Sequence, residues 1–338
     1  MERRWLFFLI ACFTLFFVGS TIVGVDLYRL LYQPMLAGKR KSDIVRVDRS
    51  MSATSFVHTL KAQHLIQSDH LFLALIRIQG LSEQLKAGIY LIRVDESAQQ
   101  FLYRVAAGDV LIESFSIIEG TTQRQISARL AQATFLTYCD NDWSTIGKPE
   151  PHRLGVALPT SAEGSLLADT YYYDAGSNGK DLLTQAHVKL NEYLEYSWQQ
   201  RTPGLPYKTP YELLIAASIL EKEAANPAEK RLIAGVIVNR LKKNMPLQMD
   251  PTVIYALGLQ YKGKLSRGDL LVDSPYNSYR YRGLPPTPIA MVGKDAIDAA
   301  AHPQPTDYLY FVARGDGRHQ FSVTYDQQRQ AIARYLFP

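Results

Sequence analysis

The run TPYELLIAASILEKEAANPAEKRLIAGVIVNRLKKNMPLQMDPTVIY, Thr209 to Tyr255, decides the fold. It reads as two helices joined by a short break and followed by an extended segment. Thr209 caps the first helix, Pro210 suits its first turn, and Glu212 completes a capping-box spacing. Asn226-Pro227 separates it from a second helix, predicted from about Ala228 to Lys243. The first helix is apolar almost throughout and ends in Glu221-Lys222-Glu223. At about 100° per residue, Glu223 shares a stripe with Ile219 and Ala216, whereas Glu221 points to nearly the opposite side. A carboxylate that closes an apolar stripe is open to desolvation, which raises its pKa and suits it to general-acid work. The same three residues also fit an ordinary solvated helix end.

Working outward, 338 residues of which nearly half are apolar allow two or three domains. The net charge of +5 is mild and no basic helix or Arg/Lys block stands out, which argues against nucleic acid as a partner. Cys12 lies in an apolar run and Cys139 stands alone, so neither a disulfide nor a cysteine-based metal site is expected. The histidines are scattered, without HExxH-like spacing, and read as structural or surface residues.

Arg3 and Arg4 precede an uncharged, mostly apolar run from Leu6 to Val25. At about 1.5 Å per residue this run reaches about 30 Å, enough to cross a bilayer as a helix. Trp5 and Tyr28 suit the two interfaces, and the arginines place the N-terminus in the cytoplasm. Val18-Gly19-Ser20 is a passable cleavage site, but the apolar run continues past it, so 1–28 reads as a retained anchor. The remainder is exported on either reading.

Residues 29–43 read as a stalk. An α+β unit is expected over 44–118, with helices from Ser52 and Ser68, a strand at GIYLIRV (Gly88 to Val94), a helix from Ser97 to Gly108, and a strand from Val110 to Ile118. A connecting region spans 119–204, with a helix from Thr121, a less regular stretch from Thr134 to Val156, and a helix from Asp181 to Ser197. Tyr171, Tyr172 and Tyr173 either stack on sugar faces or alternate between core and surface along a strand. The last domain, 205–338, ends in a hairpin, Tyr308 to Ala313 and Gln320 to Thr324, across Arg314-Gly315-Asp316-Gly317.

Five strings occur in order: AASILEKEA, VIVNRL, LQMDPTVIYALG, SPYNSYRYRGLPPTPI and AAAHPQPTDYLYFV. Together they resemble the MltG-type (YceG-like) endolytic murein transglycosylases. EGSLLADTYYYDAGS (Glu163 to Ser177) resembles a further family stretch, with Ala168 where proline is usual. Met249 stands in place of a usual threonine, and Thr287 in place of a usual glycine.

The resemblance implies an α+β protein with an N-terminal transmembrane helix, a LysM-like subdomain and a mixed helical/β-hairpin catalytic domain. It implies cleavage of the bond between N-acetylmuramic acid and N-acetylglucosamine in nascent peptidoglycan strands, leaving 1,6-anhydro ends. The family's single catalytic glutamate falls on Glu223, acting first as acid and then as base. Asp250 is the best candidate for a second carboxylate, although Asp250-Pro251-Thr252 also reads as a turn or helix cap. Tyr276, Asn277 and Tyr279 read as a structural loop on their residues alone, and with the resemblance suit one wall of a saccharide groove; Asn239 is a further candidate contact, or holds the loop or the glutamate. Arg240 reads as holding a loop or the glutamate, or as an ion-pair member. No cofactor or metal is expected. The implied partners are glycan strands, the inner membrane through one helix with the rest in the periplasm, and penicillin-binding synthases. A muramidase using water and a non-catalytic wall-binding scaffold are the other readings.

Overall fold

The computed structural model describes residues 2–36, 43–146, 161–224 and 226–335. They form two units, Met1–Glu113 with Tyr172–Ser177, and Ser114–Tyr171 with Asn178–Pro338.

The first unit begins with α1 (Glu2–Tyr32), in which Phe7–Tyr32 is long and apolar enough to cross a membrane and none of its most apolar window is buried. Then come β1 (Asp43–Val47), α2 (Ala53–Ala62), α3 (Asp69–Ile78), β2 (Gly88–Ile92) and α4 (Ala98–Ala107). β1 and β2 pair antiparallel with Val45 opposite Tyr90. Ser52, Ser68 and Ser97 each accept a first-turn N–H, and Gly108 closes α4 in the left-handed region. Phe56, Phe72, Phe101 and Tyr90 fill the centre of this unit. Leu30, Met35 and Leu36, expected to begin a stalk, are buried in the same core. The Met35 N–H bonds the Glu96 carbonyl at 2.8 Å. Residues 37–42 of the expected stalk lie outside the described residues.

β3 (Ile112–Ser116) pairs with β4 (Thr170–Asp174), and the chain passes between the units within each of these strands. Along β4, Tyr171 and Tyr173 are buried and Tyr172 is exposed, as period-two alternation requires.

The second unit contains α5 (Gln123–Leu130), a 3-10 turn at Asp140–Thr145, α6 (Gly179–Gln200), α7 (Pro210–Glu223), α8 (Lys230–Lys242), α9 (Asp250–Leu257), α10 (Lys294–Ala301), the β5–β6 hairpin (Tyr310–Ala313 and His319–Ser322) and α11 (Tyr325–Tyr335). The latter part of the expected irregular stretch, 147–156, lies outside the described residues. α7 is the axis. Every residue from Leu213 to Leu220 is buried, because α6, α8, α9 and α10 surround it. Leu167, Leu190 and Leu194, from the expected connecting region, join the core around α7.

One expectation fails here and one element is new. The segment after the second helix is helical rather than extended, since Asp250-Pro251-Thr252 opens α9. Helix α11 has no counterpart among the expected elements. Ala168 uses its N–H to bond the Val292 carbonyl at 2.8 Å, a bond that proline has no hydrogen to make. Thr287 is not among the residues with positive φ, so its backbone makes no demand for glycine.

Candidate active site

The last turn of α7 splits its two glutamates. Glu221 faces Lys230 at 2.7 Å, and its Oε2 accepts the Gly293 N–H at 2.9 Å. Both side chains of that ion pair are more than nine-tenths buried. Two residues on, Glu223 points elsewhere, as the helical period dictates. Its charged near neighbour is Asp250, at the first turn of α9. Withdrawal from water pushes Glu223 up to about 8, and the negative charge of Asp250 adds to the shift. At neutral pH Glu223 therefore carries a proton in a site where few carboxylates do.

Asp250 is exposed, and its Oδ1 accepts the Tyr279 hydroxyl at 2.6 Å. Burial and that acceptor raise the Tyr279 phenol, so it stays a donor across the accessible pH range. Glu223, Asp250 and Tyr279 thus meet electrostatically in one place. Tyr276 is half-buried; its hydroxyl meets Thr287 Oγ1 at 2.8 Å and its ring packs on Tyr255.

The two asparagines bond their own chain, which is the loop-holding side of the readings open to them. Asn277 is fully buried; its Nδ2 donates to the Leu270 and Val272 carbonyls, and its Oδ1 accepts the Tyr279 N–H. It folds the loop that presents Tyr276 and Tyr279 and has no face left for a ligand. Asn239 donates to the Thr306 and Tyr308 carbonyls, fixing the segment before β5. Arg240 makes no ion pair among the described residues; it donates to the Leu309, Pro246 and Leu247 carbonyls and to Gln248 Oε1. Arg240 fixes the chain leading into Asp250, and is a loop-holder rather than an ion-pair member.

One carboxyl group has no part in the sequence-based expectations. Glu163 is buried, accepts the Gln123 N–H at 2.8 Å and accepts the Tyr255 hydroxyl at 3.3 Å. The Glu-Gly pair is its available signal: Gly164 has φ +71°, and a Cβ there would overlap Pro288.

The arrangement sets one desolvated carboxyl group beside a second carboxylate and a phenol, a grouping chemically able to pass a proton. The YceG-like family model matches residues 45–334, and the chain belongs to that family. It is 30% identical over 334 residues to a Bacillus subtilis (strain 168) protein named endolytic murein transglycosylase, covering 93% of this chain and 91% of that one. A Streptococcus pneumoniae (strain ATCC BAA-255 / R6) protein of the same name is 26% identical over 83% of this chain and 56% of its own length. The crystal structure of a yceG-like protein from Listeria monocytogenes superimposes with a TM-score of 0.54 at 28% identity, over 86% of this chain and 98% of that one.

Proposed function

We propose that this protein is a lytic transglycosylase that cuts within peptidoglycan glycan strands, with Glu223 as its acid and base. The observation that carries the reading is the placement of Glu223, partly exposed at the end of the buried helix α7 with Asp250 nearby, where desolvation raises its pKa. A glycosidic oxygen leaves only if it is protonated, and a carboxyl group with a pKa of about 8 holds that proton at neutral pH. Glu223 gives its proton to the departing N-acetylglucosamine O4. The oxocarbenium-like centre at C1 is met by the negative charge of Asp250, which Tyr279 holds in place. Glu223, now ionised, takes the proton of the muramic acid C6 hydroxyl as that oxygen bonds C1. The anhydro ring closes, the C1–O4 bond is broken, and no water is consumed. The relatives' names support the substrate class.

On this reading α1 is a single-pass anchor in the inner membrane, the remainder lies in the periplasm, and the enzyme ends strand growth beside penicillin-binding synthases. The strand–helix–helix–strand order β1–α2–α3–β2 supports a LysM-like subdomain within 44–118. Catalysis belongs to 205–338, with Tyr276 and Tyr279 facing the glycan.

The test is mass spectrometry of products from uncrosslinked glycan, with the detergent-solubilised chain beside its Glu223→Gln variant. Ends carrying 1,6-anhydro-N-acetylmuramic acid, lost in the variant, are expected. Reducing ends instead would mean that water attacks and would give Asp250 the role of base. Glycan bound but uncut by both would make the protein a wall-binding scaffold.

A further inference from the structure

Glu163 is a buried carboxyl group that the reaction above does not use. It is 6% exposed, and among the described residues no cation faces it. Taking a carboxylate out of water without a cation is costly, so its presence asks for a reason. Capping accounts for half of it: Oε1 accepts the N–H of Gln123, the first residue of α5. That leaves Oε2, which accepts the Tyr255 hydroxyl.

Tyr255 belongs to a closed polar cluster. Its ring lies 4.8 Å from that of Tyr276, tilted by 56°. The Tyr276 hydroxyl meets Thr287 Oγ1, and Thr287, itself buried, also faces the Tyr255 hydroxyl. Both tyrosines are tied down by their hydroxyl ends and stay partly exposed at the edge of the core. The pair is linked to the start and middle of α7. Ile289, two residues after Thr287, bonds Ser218 through its N–H, and the Tyr211 hydroxyl at the start of α7 senses that of Tyr276. Glu223 ends the same helix.

We propose that Tyr255 and Tyr276 form a sugar-binding subsite displaced from the bond that is cut, and that Glu163 is the positioning residue behind it. The ligand is an N-acetylated hexosamine unit of a glycan chain, whose C–H face packs on an aromatic face. This rests on the glycan-cleaving reading above.

Burial holds the Glu163 carboxyl above its ordinary range, while the Gln123 and Gly164 N–H groups and the Tyr255 hydroxyl pull it back. Tyr255 is the titratable group that faces it. The ionised carboxylate is the better acceptor for Tyr255, so glycan affinity is complete above the Glu163 pKa and is lost as pH falls through it.

The test uses the full chain in detergent. KM and kcat on uncrosslinked glycan are followed against pH, and binding of a soluble N-acetylglucosamine hexamer is measured by calorimetry in the Glu223→Gln background. Tyr255→Ala is expected to raise KM and to weaken hexamer binding about tenfold, with a much smaller change in kcat. Glu163→Gln should raise KM and remove its acid limb while the alkaline limb of kcat stays. Tyr255→Phe, which keeps the ring and loses the hydroxyl, should reproduce that loss of the acid limb even if Glu163→Gln does not fold. An unchanged pH profile of KM in both variants overturns the role of Glu163. Full hexamer binding by Tyr255→Ala overturns the subsite. If the wild type cuts no glycan but hexamer binding still depends on Tyr255, the subsite stands and the catalytic reading falls.

Discussion

Glu223 is governed by two forces that separate experimentally. Desolvation is the larger and Asp250 the smaller, and both favour the protonated acid. The acid is present below about pH 8 and is lost as pH rises through that value, so kcat should fall on the alkaline side. Asp250→Asn removes the negative neighbour and lets Glu223 ionise sooner; the alkaline limb is expected to move to lower pH, as a kcat profile would record. A limb that stays in place would mean that Glu223 does not sense Asp250. Linkage gives a second sign. A carboxyl group whose folded pKa exceeds its unfolded value lowers stability as pH rises from about 4.5 to about 8. Glu223→Gln should therefore melt higher than the wild type at pH 9 and show little difference at pH 4. Gly164 belongs to this scale too, because positive φ and the nearby Pro288 both reject a side chain. Gly164→Ala should destabilise by about 1–3 kcal/mol in a denaturant titration. Helical spacing makes Glu223 legible, since it says which stripe a residue occupies. It is silent on Asn277 and Asn239, because an amide binds carbonyls of its own chain as readily as a ligand, and residues far apart in sequence decide which.

Among the elements, α7 is the most legible. Its cap, its proline and its apolar run all favour one helix, and the structure bounds it at Pro210 and Glu223. Helix α9 is obscured for the converse reason: it has only 8 residues, its N-cap Met249 offers no side-chain acceptor, and its aspartate and proline equally suit a turn. Two tertiary bonds and one local bond stand in for the missing cap: Ser278 Oγ accepts the Met249 N–H and meets Thr252 Oγ1, and Thr252 Oγ1 also donates to the Met249 carbonyl. The junction of α7, α8 and α10 depends on the Glu221–Lys230 pair and the Gly293 N–H. Breaking one side leaves a buried charge alone, so Lys230→Met should cost about 3–5 kcal/mol and lower Tm sharply. Glu221→Gln in the Lys230→Met background should restore much of the loss. A double variant no more stable than Lys230→Met would show that the pair contributes by packing instead of by charge.

For the whole molecule, the point at which the apolar helix ends and the folded unit begins has a measurable consequence. Read from the sequence, the anchor ends at Tyr28, just past the charged Asp26, and 29–43 is a stalk. The structure carries the helix to Tyr32 and then buries Leu30, Met35 and Leu36 with Phe56 and Phe101. The sequence hides this because three apolar residues at irregular spacing have no period, and only the core they complete gives them a place. A chain that begins at Asp26 should leave the membrane fraction and melt as the full chain does in detergent. One that begins at Asp43 loses three buried apolar side chains, each contributing about 1.5–3 kcal/mol, and the Met35–Glu96 backbone bond. Its first unit should melt well below that of the longer form. Equal melting temperatures for the two truncated chains would return 29–36 to the status of a tether. Because Glu223 and its partners belong to the other unit, the shorter chain should keep its alkaline limb near pH 8 even as the first unit loosens.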